Sequence, residues 1–264
     1  MKRRTVVLLR PVAALGSAVL DFIASFGRFG GFVINSVRAV GDVGTWLPGL
    51  FLQMRRLGVD SLPIAVFLAA FTGIVLALQA SYTFTGAIPL YFVGTLVGKT
   101  MILELGPVLT GLALSGRVGA NIAAQLGTMR VTEQIDALET MAYDPMAYLV
   151  VPRVIAGMIM FPLLVIFADA VGIIAGWITS INLLDMSSEE FFRGLKLFYQ
   201  LFDIEFSLIK TFSFGFLVTI VGCFQGFTTE GGAEGVGISA TRAVVIGSML
   251  ILVFDAFWAM VLLR

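Results

Sequence analysis

The sequence predicts an all-α polytopic membrane protein: an N-terminal interfacial helix, five membrane-spanning helices, and one short helix in an inner loop and one in an outer loop. Three observations predict it. Apolar residues make up 58% of the 264-residue chain and charged residues only 13%, whereas soluble domains hold about 45–50% and about 25%. Mean hydropathy is +0.99. The apolar residues also come in runs of the ~20 residues that a membrane helix needs, parted by proline, glycine and charge. Basic and acidic residues balance at 17 each, so net charge offers nothing to a nucleic acid. The chain has no His, which removes imidazole acid–base chemistry, His metal ligation and imidazole pH switching. The only Cys, Cys223, lies in an apolar run; no internal disulfide can form, and an inert buried thiol is expected.

The N-terminus opens Met1-Lys2-Arg3-Arg4, as a signal peptide does, but no small-residue cleavage site follows. Asp21, Phe26 and Arg28 stand where one would lie, so the segment is expected to be retained. Residues 1–50 read as an interfacial amphipathic region. Val12–Phe26 is short for a span and sits between Arg10 and Arg28, while Phe32, Val33, Val37 and Val40 keep a loose helical spacing. A sixth span is the alternative.

The expected spans are Leu62–Phe84, opened by Pro63 and closed by Thr85-Gly86-Ala87-Ile88-Pro89; Thr100–Thr128, carrying Glu104 and Arg117; Arg153–Ile181, carrying Asp169; Ile204–Gly226, carrying Lys210; and Ala243–Leu263, carrying Asp255. Breaks at Pro145, at Asp185-Met186-Ser187-Ser188 and across Gly231–Gly237 separate the later ones. Lys2, Arg3, Arg4, Arg10, Arg28, Arg38, Arg55 and Arg56 precede the first span, against Lys99 alone in the next loop. The positive-inside rule then puts the N-terminus in the cytoplasm and, after five spans, the C-terminus outside.

Gly235-x-Gly237-x-x-Ala240 mimics a dinucleotide fingerprint. No strand precedes it and no Gly-Lys-Ser/Thr follows, so it reads as a tight turn between spans, and no ATP site is expected in this chain. The inner loop Thr132-Glu133-Gln134-Ile135-Asp136-Ala137-Leu138-Glu139-Thr140-Met141-Ala142 reads as a short helix over 132–143. Thr132 is its expected N-cap, Asp144-Pro145 its stop, and Ile135, Leu138 and Ala142 its apolar face. Surface-seeking helices favour Lys and Arg, yet this one carries Glu133, Asp136, Glu139 and Asp144. Docking to a protein explains that better than lying on lipid, and in a transporter with no ATPase domain the dock is a separate ATPase. Gly119, Ala123 and Gly127 recur every four residues, which lets helix backbones approach closely in lipid. Ser187-Ser188-Glu189-Glu190 is a capping box opening a short outer helix with Phe191, Leu195 and Phe198 on one face.

Glu104-Leu105-Gly106-Pro107-Val108-Leu109-Thr110, Gly116-Arg117-Val118-Gly119-Ala120 and Leu126-Gly127-Thr128-Met129-Arg130-Val131-Thr132-Glu133-Gln134-Ile135-Asp136-Ala137-Leu138 resemble the MlaE-type permease signature. So do Asp144-Pro145, Val151-Pro152-Arg153, and Gly232-Ala233-Glu234-Gly235-Val236-Gly237 followed by Ala240-Thr241-Arg242-Ala243-Val244-Val245. The resemblance covers residues ~50–264 in order and implies a permease domain over 51–264. It implies the membrane subunit of an ATP-driven phospholipid ABC transporter of the Mla (maintenance of lipid asymmetry) type, in the inner membrane of a Gram-negative bacterium. Its close relatives are the permeases of MCE-type lipid importers. The implied partners are a second permease copy, two cytoplasmic ATPases that bind ATP and Mg, a periplasmic hexameric ring of MCE-domain proteins, and a STAS-domain protein on the ATPase. The inner-loop helix would dock the ATPase through Glu133, Ile135, Asp136, Leu138 and Glu139, and the outer helix is expected to help seat the ring.

Phospholipid would occupy a cavity between the two copies. The positions matching the family's polar cavity residues are Glu104 and Lys210, with Asp255 a third candidate; Leu103 stands where a family member carries a basic residue, and Lys99 lies near the same face. Ionisable groups within a span cost ~2.5–3.5 kcal/mol on insertion scales and are functional candidates by default. Leu76, Leu78 and Tyr82, with Phe84, would suit acyl chains. An ion-coupled secondary transporter relaying through Glu104, Asp169 and Asp255 is the rival reading, although no internal repeat of that class is found. A permease for another hydrophobic substrate is a further alternative, and no nucleophile–base spacing suggests an intramembrane enzyme.

Overall fold

The structure is a computed structural model that describes residue 20 and residues 23–84, 89–184 and 186–262. Every regular element among them is helical. In chain order these are α1 (residues 23–39), α2 (Val43–Leu57), α3 (Leu62–Thr83), α4 (Phe92–Thr100), α5 (Gly106–Leu114), α6 (Ala120–Val131), α7 (Gln134–Thr140), α8 (Val151–Leu183), α9 (Ser188–Leu197), α10 (Leu201–Phe227) and α11 (Gly232–Leu262). Single π-helical turns at Met101–Leu105, Ser115–Gly119 and Met146–Val150 join α4 to α5, α5 to α6, and lead into α8.

Five helical runs are long and apolar enough to cross a membrane: Val43–Thr83, Phe92–Val131, Met146–Leu183, Leu201–Phe227 and Gly232–Leu262. The first three are 41, 40 and 38 residues long, or about 57–62 Å at 1.5 Å per residue. A hydrocarbon core of about 30 Å holds only part of such a run. All five runs begin earlier than apolarity alone suggests, at Val43, Phe92, Met146, Leu201 and Gly232 rather than Leu62, Thr100, Arg153, Ile204 and Ala243, because the helix continues past the lipid-soluble stretch. The expected apolar start at Val12 lies largely outside the described residues. Residues 23–39 lie against the bundle: Phe29 and Phe32 meet the Phe224 ring edge-on at 5.2 and 5.6 Å, and Phe32 meets Phe227 at 5.5 Å. Of the residues expected to share an apolar face there, Phe32 is buried while Val37 and Val40 are exposed.

Small residues set the closest helix crossings, since packing rather than water expulsion drives helix association in lipid. A Cβ on Gly73 of α3 would strike the Gly172 carbonyl of α8, and one on Gly215 of α10 would strike the Gly157 carbonyl of α8. The Gly119, Ala123, Gly127 stripe is used inside the chain: the positions a Cβ would take on Gly222 and Gly226 of α10 lie 3.1 Å from the carbonyls of Gly119 and Ala123. The outer helix packs on α4 in the same manner, with the Thr95 hydroxyl donating to the Gly194 carbonyl at 2.5 Å.

The capping box of α9 is formed: the Glu190 amide donates to the Ser187 hydroxyl at 3.2 Å and the Ser187 amide to the Glu190 carboxylate at 3.0 Å. These bonds from Ser187 hold the Glu190 carboxyl below its ordinary value. The aromatic face expected on α9 is divided. Phe191 is fully buried in a core with Val93, Val97, Met101 and Leu76, whereas Phe198 is exposed and stacks on Phe92 at 6.0 Å. Phe191 is therefore a core residue, unable to contact a separate ring.

Candidate functional site

Glu104 belongs to the first π turn, Lys210 to α10 and Asp255 to α11. They lie 106 and 45 residues apart in sequence and meet in one cluster. The Lys210 ammonium sits 2.9 Å from the Glu104 carboxylate and 2.5 Å from that of Asp255. It also donates to the Leu103 carbonyl at 2.9 Å and lies 4.9 Å from the centroid of the Phe206 ring. A π turn leaves carbonyls out of the regular i→i−4 ladder, and here a carbonyl of that turn serves as ligand to the cation. Leu103 thus contributes its backbone oxygen to the cation.

Exposure differs sharply across the cluster. The Lys210 side chain is fully buried, Asp255 is 14% exposed and Glu104 is 47% exposed. Two carboxyl groups therefore share one buried ammonium, and Glu104 is the member of the cluster that opens outward. Lys210 is enclosed, hydrogen-bonded to Glu104 and the Leu103 carbonyl and ion-paired with Asp255, so Glu104 and not the ammonium is the exposed member of the cluster. Nine residues separate Lys210 from Leu201 at the head of α10, and seven separate Asp255 from Leu262 at the foot of α11, or about 14 and 10 Å. The cluster therefore lies inside the α9 end of the bundle, far from α7. The Ser213 hydroxyl caps this layer, donating to the Lys210 carbonyl at 2.6 Å and accepting from the Trp258 indole at 2.9 Å. Lys99 pairs with Asp203 at 3.5 Å and does not join the cluster.

Asp169 stands beneath the same motif without touching Lys210. It is 9% exposed, its Oδ1 has no hydrogen-bond partner, and a Cβ on Gly106 would coincide with its carboxylate. The glycine of Glu104-Leu105-Gly106-Pro107 is thus the residue that admits Asp169. The expected acyl-chain residues separate: Leu76 is buried in the core with Ala69 and Val97 and offers no surface, while Leu78 and Tyr82 are 41% and 85% exposed. Phe206 and the Leu103 carbonyl went unrecognised in the sequence, where a phenylalanine in a span and a backbone oxygen carry no distinguishing signal.

The inner-loop helix is shorter than expected and turned the other way. It covers Gln134–Thr140, with Glu133 rather than Thr132 at its N-cap, in left-handed conformation at φ 60°. The Thr132 hydroxyl instead donates back to the Thr128 carbonyl. Ala142, at φ 61°, closes the helix: the Tyr143 amide donates to Leu138 and the Ala142 amide to Glu139, as in a Schellman stop. Ile135 is 1% exposed and Leu138 packs against the same core. Ile135 therefore covers the chain's own bundle, correcting the expectation that it faces a partner, while Leu138 is half-buried and keeps part of its side chain open. Glu133, Asp136 and Glu139 are exposed, and Asp136 pairs with Arg130. The glycine-rich segment forms a turn only through Gly231 and Gly232, at φ 88° and 70°; Gly235 and Gly237 lie inside α11.

Comparison with known proteins covers nearly the whole chain. Residues 50–261 match the family described as Permease MlaE. A probable ABC transporter permease protein of Rickettsia felis is 38% identical over 247 residues, covering 94% of this chain and 95% of the relative. The intermembrane phospholipid transport system permease protein MlaE of Haemophilus influenzae is 34% identical over 245 residues, covering 92% and 94%. Protein TRIGALACTOSYLDIACYLGLYCEROL 1, chloroplastic, of Arabidopsis thaliana is 34% identical over 203 residues, covering 77% of this chain and 58% of that protein. With its five membrane-length helical runs and a match across residues 50–261, the chain belongs to the MlaE permease family.

Proposed function

We propose that this chain is the permease subunit of an ATP-driven transporter that moves phospholipid between the inner membrane and a periplasmic MCE-domain ring, maintaining outer-membrane lipid asymmetry. The observation that carries the reading is the half-exposed Glu104 carboxylate, held by the fully buried Lys210 inside a membrane-spanning bundle. A charge at that depth is costly against acyl chains, so such groups face a partner or a water-filled cavity. A second copy set against the open side of Glu104 would enclose that cavity, and the exposed carboxylate would meet an amine or hydroxyl of a headgroup. The name of the Haemophilus influenzae relative points to phospholipid as cargo.

The remaining partners follow from the same reading. Two ATPases holding ATP and Mg would dock on the α7 side, and a STAS-domain protein would sit on the ATPase. The surface α7 offers is acidic, through Glu133, Asp136 and Glu139, and suits a basic groove. The test is the purified complex in vesicles, with transfer of a fluorescent phospholipid followed after ATP is added. Glu104→Gln and Asp255→Asn are expected to lower transfer about tenfold or more, as loss of one charge-assisted contact does, while subunit stoichiometry stays constant. Transfer that ignores ATP and follows an ion gradient, or that is unchanged in both variants, would overturn the reading.

A further inference from the structure

At the opposite end of the bundle from the Lys210 cluster lies a second charged group that the proposed transport cycle does not use. Arg153, near the start of α8, is 5% exposed and lines a hollow of about 520 Å³ together with Thr45, Gly49 and Gln53 of α2, Tyr143 of the inner loop, and Tyr148 and Leu149 of the π turn leading into α8. One guanidinium nitrogen donates to the Leu149 carbonyl at 2.5 Å, and Nε has no partner. No ion pair to Arg153 occurs among the described residues; the charged group acting on it is Arg56 of α2, which is also a cation. A buried guanidinium without a carboxylate is costly, and removing water without supplying an anion makes it worse. The fork geometry of Arg is matched by the oxygens of a phosphate, which can take two N–H donors at once.

The rim says which kind of phosphate. Leu52, Tyr143 and Tyr148 are 49, 49 and 47% exposed around the hollow, and Leu47 and Phe51 beside it on α2 are 43% and 72% exposed. Exposed tyrosines and apolar side chains flanking cations belong at the boundary between acyl chains and water, where lipid headgroups lie. We propose that the Arg153 hollow binds the phosphodiester of a phospholipid from the leaflet on the α7 side, with Tyr143 and Tyr148 covering the headgroup and its acyl chains running along α2. This site is separate from the Glu104 cluster and stands whether or not the chain transports lipid.

The experiment is native mass spectrometry of the complex purified from vesicles of phosphatidylcholine with one-tenth phosphatidylglycerol, counting phospholipid retained per chain. Glu104→Gln is the parent throughout, so that any lipid held near the other cluster is common to every variant compared. Arg153→Met is expected to retain about tenfold less lipid at this site, the loss of a charge-assisted contact expressed as occupancy, and Tyr143→Ala/Tyr148→Ala to retain less than its parent. The tyrosine pair is exposed, so it reports on the site even where Arg153→Met fails to fold. Equal retention in the tyrosine variant and its parent overturns the proposal. So does displacement of the retained lipid's contribution by inorganic phosphate alone, which would make this a free-anion site. A selective loss of the ATPase subunit with lipid retention unchanged would also overturn it, marking a protein-docking surface instead.

Discussion

Gly106 shows how one missing Cβ can decide a site. A methyl group there would occupy the space of the Asp169 carboxylate, which has an unpartnered oxygen and is nine-tenths buried. Overpacking of this kind usually costs about 1–3 kcal/mol, and residues in direct contact are not additive. Gly106→Ala is therefore expected to lower the Tm of the purified protein. Asp169→Ala in the same chain should recover much of the loss, because it removes the atoms the new methyl meets. Measured melting curves for the two single variants and the double variant decide it: simple addition would show that Gly106 answers to some other neighbour. Asp169 was recognisable in the sequence as an aspartate inside a span, but its tie to Gly106 was not. The two are 63 positions apart, and only the α8 crossing joins them.

Local signals were the readable ones at the level of single elements. The capping box of α9 lies within four consecutive residues, so the sequence holds all of its chemistry. Its consequence is a pH dependence with a definite sign. The Glu190 carboxyl is held below its ordinary value of 4.5 by the amide and hydroxyl of Ser187, so its charged form is favoured in the folded helix. That contribution is complete above 4.5 and fades as pH falls through the lower folded value. Hydrogen exchange across residues 187–197, corrected for the intrinsic rate, is expected to quicken in acid and to stay level between neutrality and 4.5. Glu190→Gln should abolish the difference; an acid response that survives it would place the titrating group elsewhere. The sidedness of α7 shows the opposite case. Its apolar stripe states that something covers Ile135 and Leu138, yet a stripe says nothing about what does so. For Ile135 the cover is the chain's own bundle, which leaves Leu138 half open. The same applies to Phe191, whose burial depends on α4 arriving from a hundred residues earlier in the chain.

In the whole molecule, α10 is the most enclosed of the five runs and α11 the most open. Apolar exposure needs no cover in lipid, since acyl chains solvate leucine as well as another helix does. Glu104 is different, because nearly half of its side chain is open and it ends in an ionisable carboxyl group. If that opening faces acyl chains, an aqueous reagent cannot reach it; if it faces a cavity between two copies, one can. The chain supplies its own blank for the test, since its one cysteine, Cys223, is fully buried. Glu104→Cys in the assembled complex is expected to react with a negatively charged, membrane-impermeant thiol reagent, while Met249→Cys on the open apolar face of α11 serves as a lipid- or protein-covered comparison. The remaining Lys210–Asp255 pair keeps the cation neutralised, so the helices stay associated when position 104 is changed. Labelling at 104 that disappears when the complex is dissociated into single permeases in lipid would tie the aqueous path to assembly. No labelling in the intact complex would mean that Glu104 faces lipid, and the cavity between two copies would have to be abandoned.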